Sequence, residues 1–266
     1  MVKRNIKIII AYDGSGYYGF QKQKDNLTIQ GELERVLSQI LSEKISIMSA
    51  GRTDAGVHAL GQVINFKTKS NMPVQVLFTA LGVLLPPSIQ ARSIEEMEPK
   101  FNSRFWAKSR TYHYYVLNSA LKIPFARRNY HQVTEKLDCA KIRECFKYFK
   151  GEHNYISFTR GDIRGKNPLR TVRKISLKKS RIFFPGLPAQ TDFLVFEIIA
   201  DSFLSGMVRM MMGTILRVGR GELNPEDVKA IFAQQDHLAG GPPMPPYALY
   251  LAGVDYPEFS RNSLES

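Results

Sequence analysis

Cysteine is scarce in this 266-residue chain: there are only two, Cys139 and Cys145, and five scattered histidines. Two thiols cannot form the framework of a disulfide scaffold, and so few cysteines fit a reducing cytosol. No spacing of Cys and His resembles a paired-cysteine zinc site, so neither structural zinc nor any other metal is expected. Long apolar runs are also missing. None approaches the roughly 20 residues that span a bilayer, so no membrane helix is expected. The N-terminus runs from basic, Met1 to Arg4, into an apolar stretch over residues 6–10. No small-residue cleavage site follows, and Tyr12-Asp13-Gly14 comes at once, which reads as a first strand and not a signal peptide. A cytoplasmic protein is expected.

Acidic residues are the third shortage. Lys and Arg number 37 against 24 acidic residues, a formal charge of +13 and a pI near 9.7. Such an excess concentrates polyanions at the surface, which makes nucleic acid or an acidic membrane surface the leading partner class. The plainer alternative is a basic protein whose charge only keeps it soluble. Hydrophobic content of 44% and charged content of 23% are ordinary for a globular chain.

Periodicity outlines the elements. Ile6, Ile8, Ile10 and Tyr12 share one face of a strand, and Thr28 caps a helix with Leu33, Val36, Leu37, Ile40 and Leu41 at helical spacing. Further strands are expected over 62–68, 89–93, 111–117 and 193–200. Asp138 caps a helix through Ile142, Cys145, Phe146 and Phe149 that ends at Gly151. Another carries Met207, Met211, Ile215 and Val218, and Asn224-Pro225 reads as cap and first residue of a helix with Val228, Ile231 and Phe232. Strands and helices alternate in two similar halves, which predicts two α/β subdomains, 1–103 and 104–266, sharing a sheet. Residues 159–170 form a polar loop with Arg160, Arg164, Lys166 and Arg170, either a solvated surface or a basic arm for a phosphate backbone.

Two motifs carry chemistry. Gly14-Ser15-Gly16-Tyr17-Tyr18-Gly19 matches a dinucleotide fingerprint in form. That fingerprint needs a helix opening at the glycines, and here the helix starts near Thr28, so these read as turn glycines at positive φ. Residues 49–59 are more informative. Asp54 and Arg52 lie two residues apart between Gly51 and Gly56, with small Ala55 leaving the carboxylate uncrowded. A cation nearby favours a charged carboxylate, and a charged carboxylate in a pocket suits nucleophilic or general-base work. The residues alone leave a structural Asp–Arg turn equally open.

Gly51-Arg52-Thr53-Asp54-x-Gly56-Val57-His58-Ala59 resembles the signature of TruA-type tRNA pseudouridine synthases. The resemblance extends along nearly the whole chain. Tyr12-Asp13-Gly14 with Tyr18-Gly19-Phe20-Gln21 is similar to the family's opening motif, and Phe101-x-x-Arg104-Phe105 with Arg110-x-Tyr112-x-Tyr114 to its central one. Phe203-x-x-x-Met207-Val208-Arg209 with Gly213 resembles the third, and Pro242 to Pro246 before Leu249-Tyr250-Leu251 the last. Phe20 departs from the family's usual Trp, Thr111 from a commonly basic residue, and Ser205 and Gly206 from bulkier ones. These departures bear on substrate detail.

The resemblance implies an α+β pseudouridine synthase fold: two ferredoxin-like subdomains sharing a mixed, mostly antiparallel sheet. It implies isomerisation of uridine to pseudouridine in the anticodon stem-loop of tRNA, at positions 38–40, by a cofactor-free homodimer. Asp54 is then the catalytic carboxylate, Tyr112 stacks on the extracted uracil with its hydroxyl near the C5 proton, and Arg209 pairs with Asp54. Arg52 meets phosphate or fills the space of the flipped base, and Arg160, Arg164 and Lys166 follow the RNA backbone. Two other classes compete: a non-catalytic RNA-binding protein, which need not keep Asp54, Tyr112 and Arg209 together, and a nucleotide-dependent oxidoreductase, betrayed by bound NAD or flavin absorbance.

Overall fold

The computed structural model of the chain describes residues 3–124, 127–161, 167–180, 192–236 and 239–257. The first half runs β1 (Arg4–Tyr12), α1 (Ile29–Leu41), β2 (Ile47–Ser49), β3 (His58–Thr68), α2 (Val74–Leu84) and β4 (Ile89–Met97). The second runs β5 (Ser109–Asn118), β6 (His131–Val133), α3 (Cys139–Phe149), β7 (Gly151–Asn154), β8 (Leu169–Ser180), β9 (Asp192–Ala200), α4 (Met207–Gly219), α5 (Asp227–Gln234) and β10 (Leu249–Asp255).

One 10-stranded sheet takes the order β4-β1-β3-β10-β5-β9-β8-β7, with β2 on β3 and β6 on β5. Strands β4-β1-β3-β2 and β10-β5-β9-β8 have the same wiring, the 4-1-3-2 order of a βαββαβ ferredoxin-like unit. Within each unit all neighbours are antiparallel. The two units meet where β10 pairs in parallel with β3, Tyr250 opposite His58 and Leu251 opposite Ala59. The fold is thus α+β on a mixed, mostly antiparallel sheet. The seam falls beside His58, at the end of the Asp54 loop.

Local sequence accounts for these elements. Ile6, Ile8, Ile10 and Tyr12 are all buried along one face of β1. The Thr28 hydroxyl accepts from the Gly31 N–H at 3.2 Å and starts α1, and Asp138 accepts from Ala140 and Lys141 to start α3. The helix expected from Asn224-Pro225 begins later, at Asp227. There the Asp227 carboxylate accepts from the Asn224 N–H at 2.8 Å, so Asn224-Pro225 is the turn ahead of the helix and not its cap. Helix α3 ends at Phe149, and Gly151, with φ 103°, begins β7. Elements β2, α2, β6, β7 and β8 add to the expected set, and residues 169 and 170 of the expected loop belong to β8. Among the described residues no helix is long and apolar enough to cross a membrane.

Candidate active site

Residues 50–57, between β2 and β3, form a loop whose one internal bond is a turn, the Val57 N–H on the Asp54 carbonyl at 3.2 Å with Gly56 at φ 77°, and outside bonds hold the rest. Ala50 donates from its backbone to Val63 at 2.8 Å, and Gln62 Nε2 donates to the Gly51 carbonyl at 2.8 Å. The Ala50 carbonyl accepts from Arg110 Nε and Nη2 at 3.1 and 2.7 Å. Thr53 is held twice: its hydroxyl lies 2.8 Å from the Tyr12 hydroxyl and its carbonyl accepts from the Phe20 N–H at 3.0 Å. Arg110 also reaches the carbonyls of Asp201, Ala107 and Arg104, so a single guanidinium pins the loop to two other segments.

The glycines of the opening motif serve the same loop. Gly19, at φ 88°, sits where an added Cβ would come within 2.9 Å of the Thr53 carbonyl. Gly14 is not at positive φ, contrary to the turn reading. It is small because a Cβ there would lie 2.1 Å from the Val57 carbonyl oxygen. Gly16, at φ 81°, sits in the turn closed by the Tyr17 N–H on the Gly14 carbonyl at 3.1 Å, so the segment combines a glycine turn with a backbone-on-backbone brace.

His58 closes the loop. Its Nδ1 accepts from the Gly14 N–H at 3.1 Å, Nε2 donates to the Tyr247 carbonyl at 3.1 Å, and the ring stacks on Tyr250 at 4.6 Å. Asp13 Oδ1 lies 3.0 Å from the same Nδ1 and favours the imidazolium. Burial is the larger effect and pulls the His58 pKa below its ordinary value, consistent with a neutral ring protonated on Nε2. His58 therefore ties the carboxylate loop of the first half to the last strand of the second.

Within this frame Asp54 Oδ2 meets Arg209 Nη1 at 3.0 Å. Arg209 lies on α4 and is 7% exposed; its Nε donates to the Met244 carbonyl at 2.7 Å, which aims the remaining nitrogens at the loop. The Asp54 side chain keeps 33% exposure and faces a cleft of about 1150 Å³. Tyr112, on β5 with Tyr114 and Val116 on the same buried face, lines that cleft and meets Phe203 edge to face at 5.0 Å. Burial raises the Tyr112 pKa, with Tyr12 and Asp54 pushing the same way, so its hydroxyl keeps its proton at neutral pH.

The structure thus brings Asp54 and Tyr112 to one cleft, with Arg209 reaching Asp54 from α4 behind it. Arg52 also lines it but is exposed, and the partner of Asp54 is Arg209. Arg160 is exposed, with its side-chain stem against Gly206 at the start of α4. The small residue at 206 is explained by its φ of 71° and by that stem, whose Cγ would lie 2.9 Å from an added Cβ. Arg164 and Lys166 lie outside the described residues. Arg110 and His58 stand within motifs, but the sequence assigns neither a task. The signals are an arginine at the head of alternating aromatics and a histidine two residues after a turn glycine.

Comparison with known proteins gives this site a family. A sequence model of the family described as tRNA pseudouridine synthase matches residues 8–105 and 145–257. The tRNA pseudouridine synthase A of Francisella tularensis subsp. holarctica is 34% identical over 257 residues, covering 97% of this chain and 96% of that protein. The protein of the same name from Acetivibrio thermocellus is 35% identical over 253 residues, 95% of this chain and 100% of that one. A solved structure of an H/ACA RNP bound to a substrate RNA containing 2'-deoxyuridine aligns with TM-score 0.32 and 15% identity, over 71% of this chain and 39% of that one. That likeness is too loose to carry an argument. The chain belongs to the tRNA pseudouridine synthase family. It is accordingly an isomerase that acts on tRNA.

Proposed function

We propose that this enzyme converts uridine to pseudouridine in the anticodon stem-loop of tRNA, at positions 38–40, with Asp54 as the carboxylate that acts on the target nucleotide. The observation that carries the reading is the Asp54–Arg209 pair at 3.0 Å, half open to a cleft walled by Tyr112. The reaction breaks the N1–C1′ bond, turns the uracil and joins C5 to C1′; C5 then gives up its proton and N1 takes one up. The product is an isomer of the substrate with no net change in oxidation state, so no cofactor or metal is called for.

Each side chain then has a part. Arg209 orients Asp54 and balances its charge in a partly desolvated place. Tyr112 offers a face on which the extruded uracil stacks, worth ~1–3 kcal/mol against the few kcal/mol that extrusion costs. Its hydroxyl enters as a neutral phenol, so stacking is the part of its role that the site's electrostatics favour. Tyr112→Phe should therefore bind and turn over much as wild type does, and Tyr112→Ala should lose the base. A Phe variant blocked after glycosidic cleavage would instead make the hydroxyl the C5 proton acceptor. Arg52 and Arg160, with Arg164 and Lys166, would neutralise phosphates. The proposed division puts the carboxylate loop in residues 1–103 and the tyrosine strand and arginine helix in 104–266.

The same reading places the enzyme in the cytoplasm and makes it a homodimer. For the dimer, α2 is the supporting feature: it has no charged residue and leaves Val76, Phe78, Val83 and Leu84 exposed. Mapping pseudouridine in tRNA transcripts after incubation tests the substrate assignment. Product confined to the 3′ side of the anticodon stem-loop is expected; product only in another arm would overturn it.

A further inference from the structure

Phe105 is 76% exposed, and it sits on the rim of the Asp54 cleft. Lone exposed apolar residues are common, but this one is held in place. Asn102 Oδ1 accepts from the N–H groups of both Arg104 and Phe105, at 3.0 and 3.1 Å, and the Asn102 carbonyl accepts from Trp106 at 3.1 Å. The Ser103 N–H donates to Asn65 Oδ1 at 2.9 Å, and the Ser103 carbonyl accepts from the Tyr256 hydroxyl at 2.6 Å. Phe101 is buried beneath the turn against Trp106 and Tyr256. Arg110, which pins the Asp54 loop, also donates to the Arg104 carbonyl at 2.9 Å. Two aromatics anchor this turn from inside, and a third is presented to solvent in register with the catalytic loop.

Its neighbours define a chemistry. The Arg104 guanidinium lies 5.6 Å from the Phe105 ring centroid. Met48, 41% exposed, also lines the cleft, and its Sδ accepts from Asn102 Nδ2 at 3.3 Å. Flat apolar surface beside guanidinium groups suits a nucleobase and its phosphate, because every base has a stacking face and cations hold the backbone. The space is there: about 1150 Å³ exceeds the roughly 300–1,000 Å³ of a pocket for one small ligand. Drawing one base out of a stack also leaves its neighbour with a bare face.

We propose that Phe105, with Met48 held to the same turn through Asn102, is a stacking shelf for a second nucleobase, that of the nucleotide next to the uridine entering the cleft. Arg104 and Arg52 take the adjoining phosphate. The proposal rests on the reading of Asp54 as the site of uridine isomerisation, and adds a subsite that recognises the target's neighbour.

Binding and kinetics of the full-length enzyme with tRNA test it. Phe105→Ala should raise Kd and KM roughly 5- to 150-fold, the range for loss of one base–aromatic stack, with a smaller change in kcat. Phe105→Tyr should restore wild-type binding, and Phe105→Leu should not. An abasic residue on one side of the target should weaken wild-type binding by the same factor and add nothing to Phe105→Ala. Wild-type affinity in Phe105→Ala or in Phe105→Leu would overturn the shelf, as would abasic effects that add to Phe105→Ala on both sides of the target. Binding needs no turnover. An Asp54→Asn enzyme that still made pseudouridine would therefore count against the proposed chemistry and leave these affinities to be read as they stand.

Discussion

Helices α2 and α4 hold the same position in the two ferredoxin-like halves, each between the third and fourth strand of its unit, yet they are used in opposite ways. Both are apolar. In α4 every residue except Arg217 is buried, and the one charge placed inside, Arg209, reaches across to Asp54 in the other half. In α2 only Leu77 and Leu81 are buried, Val74 packs partly on the core, and most of the rest of an uncharged surface faces outward. The same wiring thus supplies an active-site cation on one side and a bare apolar face on the other. Burial in the surrounding fold, and not hydrophobicity of the helix, distinguishes the two.

That contrast can be broken first at its charged end. Arg209→Met removes the partner of Asp54 and the bond to the Met244 carbonyl while keeping the volume. We expect kcat/KM to fall by roughly 10²–10³-fold, the size of losing a preorganised electrostatic contact. Stability should fall by about 1.5–3 kcal/mol, as for a hydrogen bond to a charged group. Denaturant melts beside single-turnover rates would show both. Unchanged turnover would make α4 a structural helix only.

A matched pair of substitutions sharpens the contrast next. Val76→Glu with Val83→Glu on α2 should convert a dimer to a monomer in sedimentation, with stability of the folded chain changed by only about 0.5 kcal/mol, as at a surface. Met211→Glu on α4 should unfold the protein, because a lone carboxylate there has no partner. A double variant that remained dimeric would move the proposed interface away from α2.

Smaller in effect is pH. Helix α2 has no titratable group, whereas the end of α4 has Arg220 near His131, whose pKa is lowered from 6.5 by burial and then by Arg220. His58 is lowered likewise, chiefly by burial. Both histidines take up protons less readily folded than unfolded. The stability they contribute is present above the unfolded value of 6.5 and is lost as pH falls through the lower folded values. Tm should drop between about pH 7.5 and about pH 5.5, and less steeply in His131→Gln. An equal slope in that variant would remove His131 from the account.

The same two helices show what was legible in the sequence. Helix α4 was readable because Met207, Met211, Ile215 and Val218 recur at helical spacing and Arg209 interrupts them. Helix α2 gives no such signal, because apolar residues surround it so that no face stands out, and Pro73 before it makes no side-chain cap. In β8 the buried residues Val172 and Leu177 are separated by a shift in register after Val172, which breaks the period of two. Around the cleft, the pairing of Asp54 with Arg209 is legible from the family resemblance, and the structure has it at 3.0 Å. The work of Arg110 and His58 is not, because Arg110 bonds only backbone carbonyls and the bonds that fix the His58 ring run to the Gly14 N–H and the Tyr247 carbonyl, which leave no mark in a sequence.

Release of tritium from tRNA labelled at uridine C5 is the most direct measure of the central claim, that the Asp54 carboxylate performs the isomerisation. Wild type should release label as pseudouridine forms. Asp54→Asn, which keeps the shape of the side chain and its place in the loop, should release none while binding tRNA within a few-fold of wild type. Release by Asp54→Asn at a rate near wild type would contradict the account.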